Sequence, residues 1–144
     1  MNSMSECCIL PAWLLLPDIG LYMDQVVTLM ERIFGQTPGM GGITKSMVNN
    51  YVKAGLVRRP SGKKYDRDQL AQLIMIAVLK QALSMEEIAK VLGILCESGV
   101  ESGYIRFCEE ASRCDGHGDM QDAVGIAILA AVHVMRAKTC LAQL

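Results

Sequence analysis

A mainly α fold, carrying a small β-ribbon and a C-terminal helical extension, is predicted by three observations. The composition is 51% hydrophobic but only 5% aromatic, with 10 Met, which suits helices packed through small and flexible side chains better than a β-sandwich. Apolar residues recur at helical spacing in several separate stretches. Capping signals, Thr44, Asp66 with Gln69, and Ser84 with Glu87, stand in front of those stretches. At 144 residues the chain suits one compact unit or a small domain with an extension. The expected division is 1–98 for the first domain with its N-terminal arm, and 99–144 for C-terminal helices that dimerise or complete the core.

Residues 1–20, punctuated by Pro11 and Pro17, are expected to be an irregular packing arm. From Leu21 to Phe34 two adjoining apolar stripes, Tyr22, Val26, Leu29, Ile33 and Met23, Val27, Met30, Phe34, predict a helix. Gly35 to Gly42 is too glycine-rich to continue it. Thr44 then caps a short helix that ends at Gly55, with Lys45, Ser46, Asn49, Asn50 and Lys53 on one arc and Met47, Val48, Tyr51 and Val52 opposite. Pro60, Ser61 and Gly62 lie between Arg58-Arg59 and Lys63-Lys64, which predicts a β-ribbon over Val57 to Tyr65 with a basic tip. Further helices are expected after Asp66, after Ser84, over Tyr104 to Arg113 and over Met120 to Leu144, with polar turns between.

The net charge of −1 hides an uneven distribution. Residues 43–67 hold Lys45, Lys53, Arg58, Arg59, Lys63, Lys64 and Arg67 against Asp66 alone, a local balance of +6, while the remainder balances at −7. A basic patch on an acidic body is the electrostatic footprint of a nucleic-acid contact surface. Lys45, Ser46, Asn49, Asn50 and Lys53 are placed to enter the major groove of double-stranded DNA, and Arg58, Arg59, Lys63 and Lys64 to hold phosphate, with Thr44, Tyr65 and Arg67 also expected among the DNA-binding residues. Neutralising four to six phosphates would give a log–log salt slope of about −3.6 to −5.4. The rival expectation is a protein-interaction module whose basic residues are a solvated face.

The stretches GITKSMVNNYVKAGLV (42–57), KKYDRDQLAQL (63–73) and LSMEEIAKVL (83–92) resemble the DNA-binding domain of the mercury-resistance regulator (MerR) superfamily. They resemble more closely a bacterial domain family of unknown function with a MerR-like helix-turn-helix. In this likeness Gly42, Ile43 and Thr44 open the recognition helix and Tyr51 closes its packed face. Gly55 and Leu56 begin the wing, and Lys64 and Tyr65 end it. LPDIGLYMDQVVTLMERI (16–33) is similar to the first helix of the closer family, so the likeness spans roughly residues 10–95. It implies a MerR-like winged helix-turn-helix and a DNA-binding transcriptional regulator. Where the superfamily carries Arg-Tyr, this chain has Asn49-Asn50, and its Gly35–Gly42 linker replaces a tight turn.

The last stretch is apolar nearly all round, with Gly125, Ala123, Ala127, Ala130 and Ala131 permitting close approach, so homodimerisation through 120–144 is expected beside burial within one chain. Its thirteen-residue apolar run, Ala123 to Met135, falls short of a membrane span, and His133 on it is expected to be packed. Cys108, Cys114 and His117, with Cys140 or Cys96, have weak spacing for zinc or copper(I), so no metal and no cofactor is expected. No phosphate loop, dinucleotide fingerprint or nucleophile motif is present, and paired acids such as Glu86-Glu87 point apart on a helix, so no enzyme activity is expected. Six Cys without disulfide spacing and no export signal predict a cytoplasmic protein.

Overall fold

The computed structural model describes residues 10–35, 37, 40, 42–113 and 122–144. Six α-helices run through the described residues: α1 (Met23–Phe34), α2 (Lys45–Lys53), α3 (Arg67–Leu79), α4 (Met85–Leu95), α5 (Val100–Ala111) and α6 (Ala123–Ala142). A short 3-10 turn at Trp13–Leu15 precedes them. The fold is mainly helical, as composition and spacing predict. No strand forms among the described residues; the predicted β-ribbon is replaced by two isolated bridges, Leu21 with Tyr65 and Ser61 with Lys64.

Local chemistry places the helix starts. Thr44 Oγ1 accepts a hydrogen bond from Met47 N at 3.2 Å and opens α2. Asp66 Oδ1 accepts from Gln69 N at 3.0 Å while Gln69 Oε1 accepts from Asp66 N at 2.7 Å, a reciprocal box that opens α3. Ser84 and Glu87 repeat it at α4, with contacts of 3.2 and 2.8 Å. Helix α5 begins earlier than its apolar spacing predicts, because Gly99, at φ 126, turns the chain directly into it. Gly103 is then a helical residue. A Cβ there would lie 2.8 Å from Cys96 Sγ and from the Leu95 carbonyl oxygen, so its bareness lets α5 approach the end of α4.

The core is built round α3. From Gln69 to Leu79 every residue except Gln72 is buried, and α3 packs against both α5 and α6. Tyr104 and Phe107 of α5 and Ile128 of α6 fill the space beside it. Trp13, Leu16 and Leu21 of the arm join the same apolar cluster, and the Tyr104 hydroxyl donates to the Pro11 carbonyl at 2.6 Å.

Two expectations about α6 are corrected. At twenty residues it is long and apolar enough to cross a membrane by length and composition, exceeding the thirteen-residue run counted from the sequence. Its Val124, Ile128, Ala131, Val132 and Met135 are nevertheless buried in the core. His133, expected to be packed, is exposed, because α3 and α5 meet the opposite side of the helix.

Candidate nucleic-acid interface

Helix α2 is amphipathic in the sense its sequence requires. Val48 and Tyr51 are buried, while Lys45, Ser46, Asn49, Asn50 and Lys53 are exposed on one face together with the cap Thr44. α2 packs on α1, and Lys45 Nζ lies 2.6 Å from Asp24 Oδ1 of that helix. Ala54 caps the C-terminus, and Gly55 at φ 80 takes the left-handed turn that ends the helix. Leu56 and Val57 then re-enter the core.

Beyond them the chain forms a basic turn. Lys64 N donates to the Ser61 carbonyl at 3.0 Å, and the central pair Gly62 and Lys63 both have positive φ, 58 and 66, which is the backbone class of tight hairpins. The ladder stops there. Pro60 has no N–H to give. The Arg58 carbonyl accepts from Gln69 Nε2 at 2.8 Å. Tyr65 directs its N–H and its carbonyl to Leu21, at 2.8 and 2.9 Å. The arm thus takes the place a second ribbon strand would have held.

The predicted contact residues divide by this geometry. Arg59, Lys63 and Lys53 are exposed and make no ion pair among the described residues. Lys64 is exposed, with its Nζ 5.2 Å from the centre of the Tyr22 ring and its stem against Gly20. Arg58 is exposed but donates to Asp66 Oδ2 at 2.7 Å. Tyr65 is only 3% exposed, and burial raises the pKa of its phenol, so it packs the base of the turn. Arg67 donates from Nε to the Leu16 carbonyl at 3.2 Å and lies over the Trp13 ring at 5.5 Å, which holds the arm. Thr44, Lys45, Ser46, Asn49, Asn50, Lys53, Arg58, Arg59, Lys63 and Lys64 remain on the surface; Tyr65 and Arg67 have structural tasks.

Sequence reasoning missed three residues that shape this surface. Asp24 pairs with Lys45, Tyr22 underlies Lys64, and the buried Gln69 ties the Arg58 backbone to the α3 cap. Of these only Gln69 carried a signal, as the partner of Asp66 in the capping box.

No group of three or more metal-binding side chains occurs among the described residues. Cys96 and Cys108 are half-buried thiols, their pKa values pushed up first by burial, and Cys140 is exposed. Cys114 and His117 lie outside the described residues.

No curated protein and no solved structure shows a significant match. Residues 11–108, from the arm through most of α5, match the family described as Domain of unknown function (DUF1836). The match bears out a domain family of unknown function but shows no MerR-like helix-turn-helix; the likeness to mercury-resistance regulators rests on the stretches 42–57, 63–73 and 83–92 alone. With more than half of its length in that match, the chain belongs to the DUF1836 family.

Proposed function

We propose that this chain is a DNA-binding transcriptional regulator with a MerR-like winged helix-turn-helix. In this reading α2 enters the major groove and the basic turn 58–64 serves as a reduced wing on the flanking phosphates. The observation that carries it is the exposed arc Lys45, Ser46, Asn49, Asn50 and Lys53, next in the chain to a basic turn of four exposed cations. Asn49 and Asn50 have the side-chain amides that read adenine bidentately, and the cations supply affinity without sequence. Lys45 and Arg58 have carboxylate partners already, so the cations ready for phosphate are Lys53, Arg59, Lys63 and Lys64. Three or four neutralised phosphates correspond to a log–log salt slope of about −2.7 to −3.6 for a single copy, shallower than basic-residue counting alone suggests.

The test is fluorescence anisotropy with labelled random-sequence duplexes over a range of salt concentrations. A slope in that interval, made shallower by about one phosphate equivalent in Arg59→Ala, supports the reading. Absence of binding at low salt rejects it. The pairing of Lys45 with Asp24 and of Arg58 with Asp66 favours one rival, a protein-interaction module with a charge-balanced face. Selection from a random DNA library separates the two, because only a regulator enriches a sequence.

A further inference from the structure

Two carboxylates hold cations of the proposed contact surface, and they are not equivalent. Asp66 holds Arg58 at 2.7 Å, but its other oxygen caps α3. Asp24 has no such second task. The start of α1 is closed by Gln25, whose Oε1 accepts from Tyr22 N at 2.9 Å, while the Asp24 carboxylate reaches across to Lys45 Nζ, 2.6 Å away on α2. Lys45 is the first residue of α2, directly after the Thr44 cap. A cation is disfavoured there, because the unpaired N–H groups of a helix start already present positive charge. Lys45 therefore requires an anion beside it, and a DNA phosphate meets the same requirement as a carboxylate.

We infer that Asp24 is an affinity-limiting residue of this surface, a role that rests on the proposed DNA binding. Its carboxylate occupies the place of a DNA phosphate at Lys45 and must be displaced before that lysine joins the backbone contacts. The side chains are 82% exposed for Asp24 and 64% for Lys45, so the pair is open to water and salt. An exposed pair of this kind is weak, which makes Asp24 a brake on binding and not a block. Its own negative charge, set beside the exposed arc of α2, adds repulsion toward the duplex.

The brake acts on the sequence-independent part of binding. Asn49 and Asn50 carry the proposed base reading, so Asp24 sets how strongly the surface holds DNA and leaves which sequence it selects unchanged. A mechanical staple between α1 and α2 is the competing role for the same ion pair. The two roles differ in what they move: a staple changes stability alone, whereas a brake changes the number of phosphates neutralised and hence the salt dependence.

The full chain and Asp24→Asn are compared by anisotropy with a labelled random-sequence duplex over a range of salt concentrations. Asp24→Asn is expected to bind on the order of fivefold more tightly at about 0.1 M salt and to steepen the log–log slope by about 0.9, one further phosphate. Asp18→Asn is the control for charge alone. It removes an equal charge from the arm, where Asp18 lies 3.9 Å from Arg67, and is expected to leave the slope unchanged. In a Lys45→Gln background Asp24→Asn is likewise expected to leave the slope unchanged, since the lysine it would release is gone. Binding by the unmodified chain with a slope that Asp24→Asn does not alter overturns the brake and leaves the DNA reading standing. Equal steepening in Asp18→Asn, or in the Lys45→Gln background, assigns the effect to overall charge and overturns it too. Absence of binding by every one of these chains at low salt rejects the DNA reading and the brake together.

Discussion

Leu21 and Tyr65 exchange both backbone hydrogen bonds, at 2.9 and 2.8 Å, and so join the N-terminal arm to the base of the basic turn. Both side chains are buried beside this bridge. The position of Lys63 and Lys64 relative to α2 is therefore set by the arm as well as by the turn itself. In a longer hairpin the ladder between its own two strands would do this work.

Gln69 is the other fixing point. Its Nε2 donates to the Arg58 carbonyl and its Oε1 accepts from Asp66 N, while its side chain is almost wholly buried. Gln69→Leu keeps the bulk and deprives both backbone groups of their partner, at a cost of about 2–4 kcal/mol. Urea denaturation measures the loss. Stability equal to that of the unmodified chain would show that water satisfies both groups.

Lys63 is a non-glycine residue in the left-handed region, at φ 66. Lys63→Gly relieves that conformation and is expected to raise stability by up to about 1 kcal/mol, part of the gain being offset by the freer unfolded chain. The same change removes a proposed phosphate contact, so DNA affinity is expected to fall. Opposite signs in thermal denaturation and anisotropy are the signature of a residue strained for the sake of its charge.

Close packing between α4 and α5 depends on Gly103. Gly103→Ala drives a methyl group against the Leu95 carbonyl and Cys96 Sγ, and about 1–3 kcal/mol of destabilisation follows, the usual cost of overpacking. Gly93 lies on the exposed side of α4, where a Cβ would meet nothing within 4 Å. Gly93→Ala is expected to be neutral or stabilising in the same assay, since Ala is the better helix former.

Two helix starts are sensitive to acid. The pKa of Glu87 is lowered from its ordinary 4.5, chiefly by the hydrogen bond from the Ser84 backbone, and that of Asp122 from 3.8, chiefly by the bond from the Gly125 backbone. Groups with depressed folded-state pKa values contribute fully above their ordinary values and lose that contribution as pH falls through the lower folded ones. The thermal midpoint is therefore expected to be insensitive to these caps above about pH 5 and to decline below about pH 4. Glu87→Gln retains an acceptor for Ser84 N, and a shallower acid decline in this variant, read by circular dichroism, checks the assignment.

Features closed within a few residues were legible in the sequence. Thr44, Asp66 and Ser84 cap their helices because a side chain and an N–H three residues on are all the interaction needs. The exposed arc of α2 followed from its periodicity in the same way. Backbone pairing between Leu21 and Tyr65 leaves no side-chain trace, so a ribbon was the natural expectation for Val57 to Tyr65. Charge type does not reveal direction either. Arg67 belongs to the basic cluster by sequence, yet it folds across Trp13 because the arm arrives from far upstream. Nearly uniform hydropathy along α6 carries no phase, and only its packing on α3 and α5 decides that His133 faces outward. Gly103 shows a related limit: a residue that breaks isolated helices is required where two helices touch.

Trp13 is the chain's single tryptophan, buried between the Arg67 guanidinium and the Tyr104 ring, whose centre is 6.1 Å from its own. The protein therefore carries an intrinsic optical gauge at the junction of arm, α3 and α5. Excited selectively, that indole emits from a shielded setting while the arm is seated and shifts to longer wavelength when water reaches it. Whatever loosens the Leu21–Tyr65 clasp can be followed by light, on the unmodified molecule, separately from helix content.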